Sequence, residues 1–137
     1  MTGVVVLLAV LAVSTAFGLV HRARTGRVRD EPRDDLRAVL AALGAEPGER
    51  ATLLQFSSAF CAPCRATRRV LSDVADVVPG VRHVEVDAEQ HLDVVRLLGI
   101  TKTPTTLVLD AQARVTARAA GQPRKDEVLA ALGHAVG

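Results

Sequence analysis

The sequence has no tryptophan and no tyrosine, only three phenylalanines, two lysines and two cysteines in 137 residues. Each scarcity excludes something. Single-stranded nucleic acid is bound on aromatic stacking platforms, which this chain cannot build. Two thiols cannot form the framework of a disulfide-rich secreted scaffold. Acidic residues are missing from the first 29 positions, since all fifteen lie at Asp30 or later. Arg22, Arg24, Arg27 and Arg29 therefore stand uncompensated, and they account for the net charge of +2. From Asp30 onward the acids outnumber the basic residues by two. A basic isoelectric point is thus no sign of nucleic-acid binding, because the body of the chain is mildly acidic. The excess of arginine over lysine, with abundant alanine and valine, reads as a coding bias with little mechanistic content.

The first twenty residues lack charge altogether, and fifteen of them are hydrophobic. Twenty helical residues span about 30 Å, the thickness of a bilayer's hydrocarbon core. The core helix of a soluble protein would show a polar stripe, and this run has none. A cleaved signal peptide would use Ser14-Thr15-Ala16 as its small-residue site, but it would also carry a basic segment in front. Here the basic cluster follows the run. Residues 1–20 therefore read as an uncleaved transmembrane anchor, 21–33 as a basic juxtamembrane tether broken by Gly26 and Pro32, and 34–137 as one domain. Basic flanks stay on the cytoplasmic side. The expectation is a single-pass cell-membrane protein whose domain faces the cytoplasm.

Along that domain the apolar spacing predicts helices over 34–43, 61–78, 89–98 and from 121–123 to about 135, the last with Val128, Leu129 and Leu132 inward. Short apolar runs predict strands over 51–57, 81–87, 105–109 and 114–120, with a turn at Asp110-Ala111-Gln112-Ala113. Strands alternating with helices imply a mainly parallel sheet covered on both faces, ending in one antiparallel hairpin.

The cysteines sit three apart, in Phe60-Cys61-Ala62-Pro63-Cys64, after a predicted strand and at the start of a predicted helix. That context gives the spacing its meaning. A thiolate attacks disulfides and a thiol does not, so such a site must stabilise negative sulfur. A helix N-terminus offers free N–H groups and the positive end of the macrodipole. Cys61, at the very start, is the natural nucleophile, and Cys64, one turn on, is placed to resolve a mixed disulfide. Arg65 and Arg68 add positive charge on what reads as a solvated face. A zinc site needs a second ligand pair, and His83 and His91 lack finger-like spacing, so no metal is expected. A structural disulfide would close too small a loop to stabilise much.

The stretch from Leu53 through Phe56 to Cys61-Ala62-Pro63-Cys64-Arg65 resembles the active-site segment of the thioredoxin family. Gly99-Ile100-Thr101-Lys102-Thr103-Pro104-Thr105 resembles its second, proline-bearing loop, and Val86-Asp87 its central strand end. The resemblance covers about residues 36–136. It implies an α/β, thioredoxin-like three-layer fold with a central mixed sheet, preceded here by the one N-terminal transmembrane helix. It implies that Cys61 attacks, that Cys64 resolves, that Pro63 tunes reducing power, and that Pro104 is cis and packs beside the disulfide. Thr103 would then offer its backbone to a substrate peptide as an added strand. Gly121 matches a late glycine near the active-site surface.

Four positions depart from the family's pattern. Gln55 stands where a buried aspartate usually assists proton removal from the resolving thiol. Phe60 replaces a tryptophan, Ala62 a glycine, and His83 stands near a frequent lysine. Asp87 and Glu85 read as solvated strand-end carboxylates, and His21, His91 and His134 as surface residues.

The resulting expectation is an enzyme, a thiol–disulfide oxidoreductase that reduces protein disulfides through the Cys61/Cys64 dithiol. It would bind no cofactor, the redox-active disulfide being its own electron store. Its partners would be protein disulfide substrates, an electron-donating reductase and, through residues 1–20, the membrane. The alternatives are an extracytoplasmic oxidase, isomerase or cytochrome-maturation reductase, and a non-catalytic adaptor or metal-binding module on the same fold.

Overall fold

The computed structural model describes residues 1–24, 28–30 and 35–137, with backbone alone at 29 and 30. The tether residues Thr25, Gly26, Arg27, Glu31, Pro32 and Arg33 lie outside the described residues, as does Asp34, the first residue of a predicted helix. In chain order the elements are α1 (Thr2–Arg24), β1 (Val28–Asp30), α2 (Arg37–Ala42), β2 (Ala51–Ser57), α3 (Ala62–Val77), β3 (Val81–Asp87), α4 (Leu92–Leu97), β4 (Thr105–Asp110), β5 (Val115–Ala120) and α5 (Lys125–Val136).

Helix α1 buries none of its residues. At 23 residues it is long and apolar enough to cross a membrane. Its hydroxyl at Thr15 donates back to the Leu11 carbonyl at 2.8 Å, which satisfies a polar group without water. The helix runs past the apolar stretch to take in His21, Arg22 and Arg24 in its last turn, where positive charge suits the macrodipole.

The five strands form one sheet in the order β1-β5-β4-β2-β3. Only β2 and β3 are parallel; β2–β4, β4–β5 and β5–β1 are antiparallel. This corrects the expectation of a mainly parallel sheet, and the lengths of the connecting helices explain it. The sixteen residues of α3 span about 24 Å, enough to carry the chain back along a strand of similar length. The six residues of α4 span about 9 Å. The chain leaving β3 stays near that end of the sheet, so β4 starts beside the end of β2, with Phe56 opposite Thr105, and runs the other way. Strand β1, inside the stretch read as a tether, pairs Val28 with Ala119 and edges the sheet.

Central strands β2 and β4 are buried along their whole length. Because side chains alternate, Leu54, Phe56, Leu107 and Leu109 face a core shared with Leu40 and Leu98. Leu53 and Val108 face a second core, with Leu71 and Val74 of α3 and Val128 and Leu132 of α5. Gln55 follows the same alternation onto the α3 side. Leu129, expected to point inward, is exposed, as are Val77 and Leu92 on their own helices.

Asp110 fixes the β4–β5 turn. Its carboxylate accepts from the backbone N–H groups of Gln112 and Arg114 and from Arg114 Nε at 3.1 Å. Burial pushes this carboxyl up, but those donors and the Arg114 charge outweigh it and hold it below the usual carboxylate range. A depressed carboxylate stabilises the fold above its ordinary pKa, and that stability is lost as pH falls through the folded value. Replacing Asp110 by Ala should cost about 2 kcal/mol near pH 7, read as a lower urea midpoint at unchanged slope. The gap between the two proteins should close as pH falls below about 4.

Candidate active site

Strand β2 delivers the chain to the edge of the sheet, and residues 58–60 turn it into α3. Phe60 adopts a left-handed backbone (φ 58°) with its ring fully exposed. Cys61 is the N-cap of α3, and Pro63 lies in the first turn, where its missing N–H has no helical acceptor to lose. The Cys61 sulfur accepts the backbone N–H of Cys64 at 3.2 Å. The two sulfurs are joined in a disulfide, with Cα atoms 5.2 Å apart. The pair is asymmetric. Cys61 is half-buried at the surface, whereas Cys64 is only 1% exposed.

The second loop arrives at the same edge because β4 begins beside the end of β2. The Thr103–Pro104 peptide bond is cis and Pro104 is buried. Ser58 and Thr103 hydroxyls are hydrogen-bonded at 2.8 Å, tying this loop to the one before Cys61. Gly121 donates its N–H to the Pro104 carbonyl at 2.7 Å from a backbone with φ 94°, a region that favours glycine. A cavity of about 660 Å³ opens here, lined by Pro63, Thr103, Pro104 and Gly121 together with the cations Arg22, Lys102 and Arg124.

Beneath Cys64 lies Gln55, fully buried, with every direction of its amide used. Its Nε2 donates to the Cys64 carbonyl at 3.0 Å and to the Ser57 hydroxyl at 2.9 Å. Its Oε1 lies 2.9 Å from Nε2 of His83. Ser57 passes its own hydrogen to Glu85 at 3.2 Å, and Glu85 is clasped by Arg68, with N···O distances of 2.7 to 3.0 Å. Burial holds the His83 imidazole below its ordinary pKa; Glu85 opposes this and Arg68 adds to it.

Of the residues singled out from sequence, the structure brings Phe60, Cys61, Ala62, Pro63, Cys64, Thr103, Pro104 and Gly121 to one edge, with Gln55 underneath. Glu85 and Arg68, read as solvated, instead form an ion pair that reaches the site through Ser57. The available signal was the alternation within each strand, which puts 55 and 57 on one face of β2 and 83 and 85 on one face of β3; the register, with Gln55 opposite Glu85, makes those faces one. Asp87 turns away and caps its own loop by accepting the Glu89 N–H. Among the described residues no three His, Cys, Asp or Glu side chains gather as a metal site.

A family model described as a thioredoxin-like domain matches residues 41–135. Thioredoxin-2 of Pyricularia oryzae is 27% identical over 82 residues, which make up 60% of this chain and 48% of that protein. The match thus takes in about half the length of that curated relative. Among solved structures, thioredoxin NaTrxh from Nicotiana alata superposes with a TM-score of 0.59 at 22% identity, covering 76% of this chain and 89% of its own. The short form of thioredoxin f from spinach chloroplast gives a TM-score of 0.59 at 22% identity, covering 83% and 97%.

Replacing Gln55 by Leu keeps the volume but removes the side-chain donor to the Cys64 carbonyl and takes the Gln55 oxygen away from His83 Nε2. Denaturation of the oxidised protein should report a loss of about 2 kcal/mol, the cost of one buried unpaired polar group.

Proposed function

The chain belongs to the thioredoxin-like family, and from that premise we propose that it reduces disulfides of protein substrates at the membrane, Cys61 attacking and Cys64 resolving. That it is a thiol–disulfide oxidoreductase follows from the fold and the bonded Cys61–Cys64 pair. The observation that carries the finer reading is the asymmetry of that pair: a surface sulfur at the N-terminus of α3, already accepting a backbone N–H, beside a buried partner.

In the reduced protein, that N–H and the helix dipole favour thiolate at Cys61. The thiolate attacks one sulfur of a substrate disulfide. A Cys61–substrate disulfide forms and the first substrate sulfur leaves, taking a proton. Cys64 then loses its proton and attacks Cys61 Sγ, releasing the second substrate sulfur and regenerating the internal disulfide. Two electrons have passed to the substrate, and an electron-donating reductase must return them. The disulfide is the electron store, so the reaction calls for no bound cofactor. Pro63 and Ala62 shape the surface around Cys61. Thr103, beside Pro104, presents backbone to an extended substrate segment, and exposed Phe60 adds an apolar contact next to the reacting sulfur.

Helix α1 supplies the anchor in this reading, and the uncompensated Arg22, Arg24, Arg27 and Arg29 favour a cytoplasmic domain. The competing extracytoplasmic role in disulfide formation or cytochrome maturation differs in topology, not in the cysteine chemistry.

Cys61→Ser should bring insulin-disulfide reduction down to background, while Cys64→Ser should accumulate substrate-linked species that dissolve with dithiothreitol. Undiminished turnover in Cys61→Ser sinks the mechanism. A cysteine reporter at the C-terminus should stay unlabelled by membrane-impermeant maleimide in intact cells; labelling would move the domain outside.

A further inference from the structure

The amide of Gln55 can point only one way. The Cys64 carbonyl can only accept, so nitrogen must face it and Oε1 must face β3. The neighbour at Oε1 is His83 Nε2 at 2.9 Å, which must therefore carry hydrogen. The sole nitrogen of that ring left to gain or lose a proton is Nδ1. The directions agree around the whole chain of bonds, from His83 to Gln55, from Gln55 to Cys64 and Ser57, and from Ser57 to Glu85.

Gln55 itself cannot titrate, and His83 is the group in this network whose ordinary pKa, about 6.5, lies near neutrality. We propose that His83 is the proton-sensing positioning residue of the Cys61–Cys64 couple, acting through the locked amide of Gln55, so that a proton on Nδ1 favours the reduced pair. This rests on the redox reading of the cysteines. The charged groups acting on the ring are Glu85, two places along β3, and Arg68 on α3. From β2 it meets Gln55, hydrogen-bonded at Oε1, with uncharged Ser57 beyond. Glu85 is already neutralised by Arg68, so a proton arriving at His83 adds net positive charge one amide side chain away from the resolving cysteine.

Two glutathione thiols supply two electrons and two protons and leave as glutathione disulfide, while the Cys61–Cys64 bond opens. One proton goes to Cys64. With Cys61 held as thiolate, the second goes to Nδ1 of His83 in the pH range where the oxidised protein leaves it bare. Burial holds the imidazole below its ordinary range in the disulfide state and the Cys61 thiolate favours its protonation, so that range lies between the two titrations.

The test is the equilibrium of the full-length protein in detergent micelles with glutathione buffers from pH 5 to 8, for wild type and His83→Gln. Glutamine retains a donor toward Gln55 but cannot titrate. Between pH 7.5 and 5.5 the wild-type equilibrium should move toward the dithiol about tenfold further than the variant's, the effect of one unit of coupling between titrating groups. In parallel, the His83 ring resonances of the wild type should titrate at higher pH in the reduced than in the oxidised protein, a readout that needs no variant. Matching pH profiles together with one His83 titration in both states overturn the role of His83 while leaving the oxidoreductase intact. A wild-type pair that does not exchange with glutathione overturns the redox reading, and this proposal with it.

Discussion

Negative sulfur needs positive partners, and in this chain they come from the first turn of α3. The Cys64 N–H already reaches the Cys61 sulfur in the disulfide form. The rest of the architecture can be seen as what it takes to put that turn at the surface and hold it there. Strand β2, buried between β3 and β4, ends where α3 begins. Leu71 and Val74 anchor the helix to the sheet, so its N-terminus has a fixed position above the strand ends. This is the edge where open α/β sheets place their ligands, because loops leaving the strands converge there.

The short α4 has a consequence beyond topology. Being short, it brings Thr103 and Pro104 up against the loop before Cys61, where the Ser58–Thr103 hydrogen bond joins the two. Two distant segments of sequence thus become one surface. The chemistry of Cys61 and the proposed seat for a substrate segment depend on that juxtaposition.

Beneath the disulfide the core is polar, and a buried polar group is tolerated only when its partners are complete. Gln55 meets that condition by spending both its hydrogens and its oxygen on Cys64, Ser57 and His83. Where the family usually carries a carboxylate, this chain has a neutral, fully engaged amide. The nearest ionisable groups are consequently displaced outward, onto β3 and the exposed side of α3. In the proposal for His83, the sensitivity of Cys64 to pH belongs to a histidine in place of an acid.

Much of this was legible along the chain. Short apolar runs marked β2 and β3 to the residue, the strand–CxxC–helix order marked Cys61 and Cys64, and twenty uncharged residues marked α1. These are local signals, since propensity, capping and apolar periodicity act within a few residues of their cause. Strand direction, the pairing of Val28 with Ala119 at the sheet edge, and the union of Gln55, Ser57, His83, Glu85 and Arg68 were not legible in that way. They depend on which strands lie side by side and in what register, a choice made by crossover length and by the burial of two apolar faces at once. Sequence determined the Cys61–Cys64 pair and the long apolar helix α1, because each is written in consecutive residues. Tertiary structure alone decided what surrounds Cys64, because residues 55, 68 and 83 meet only when β2, α3 and β3 pack together.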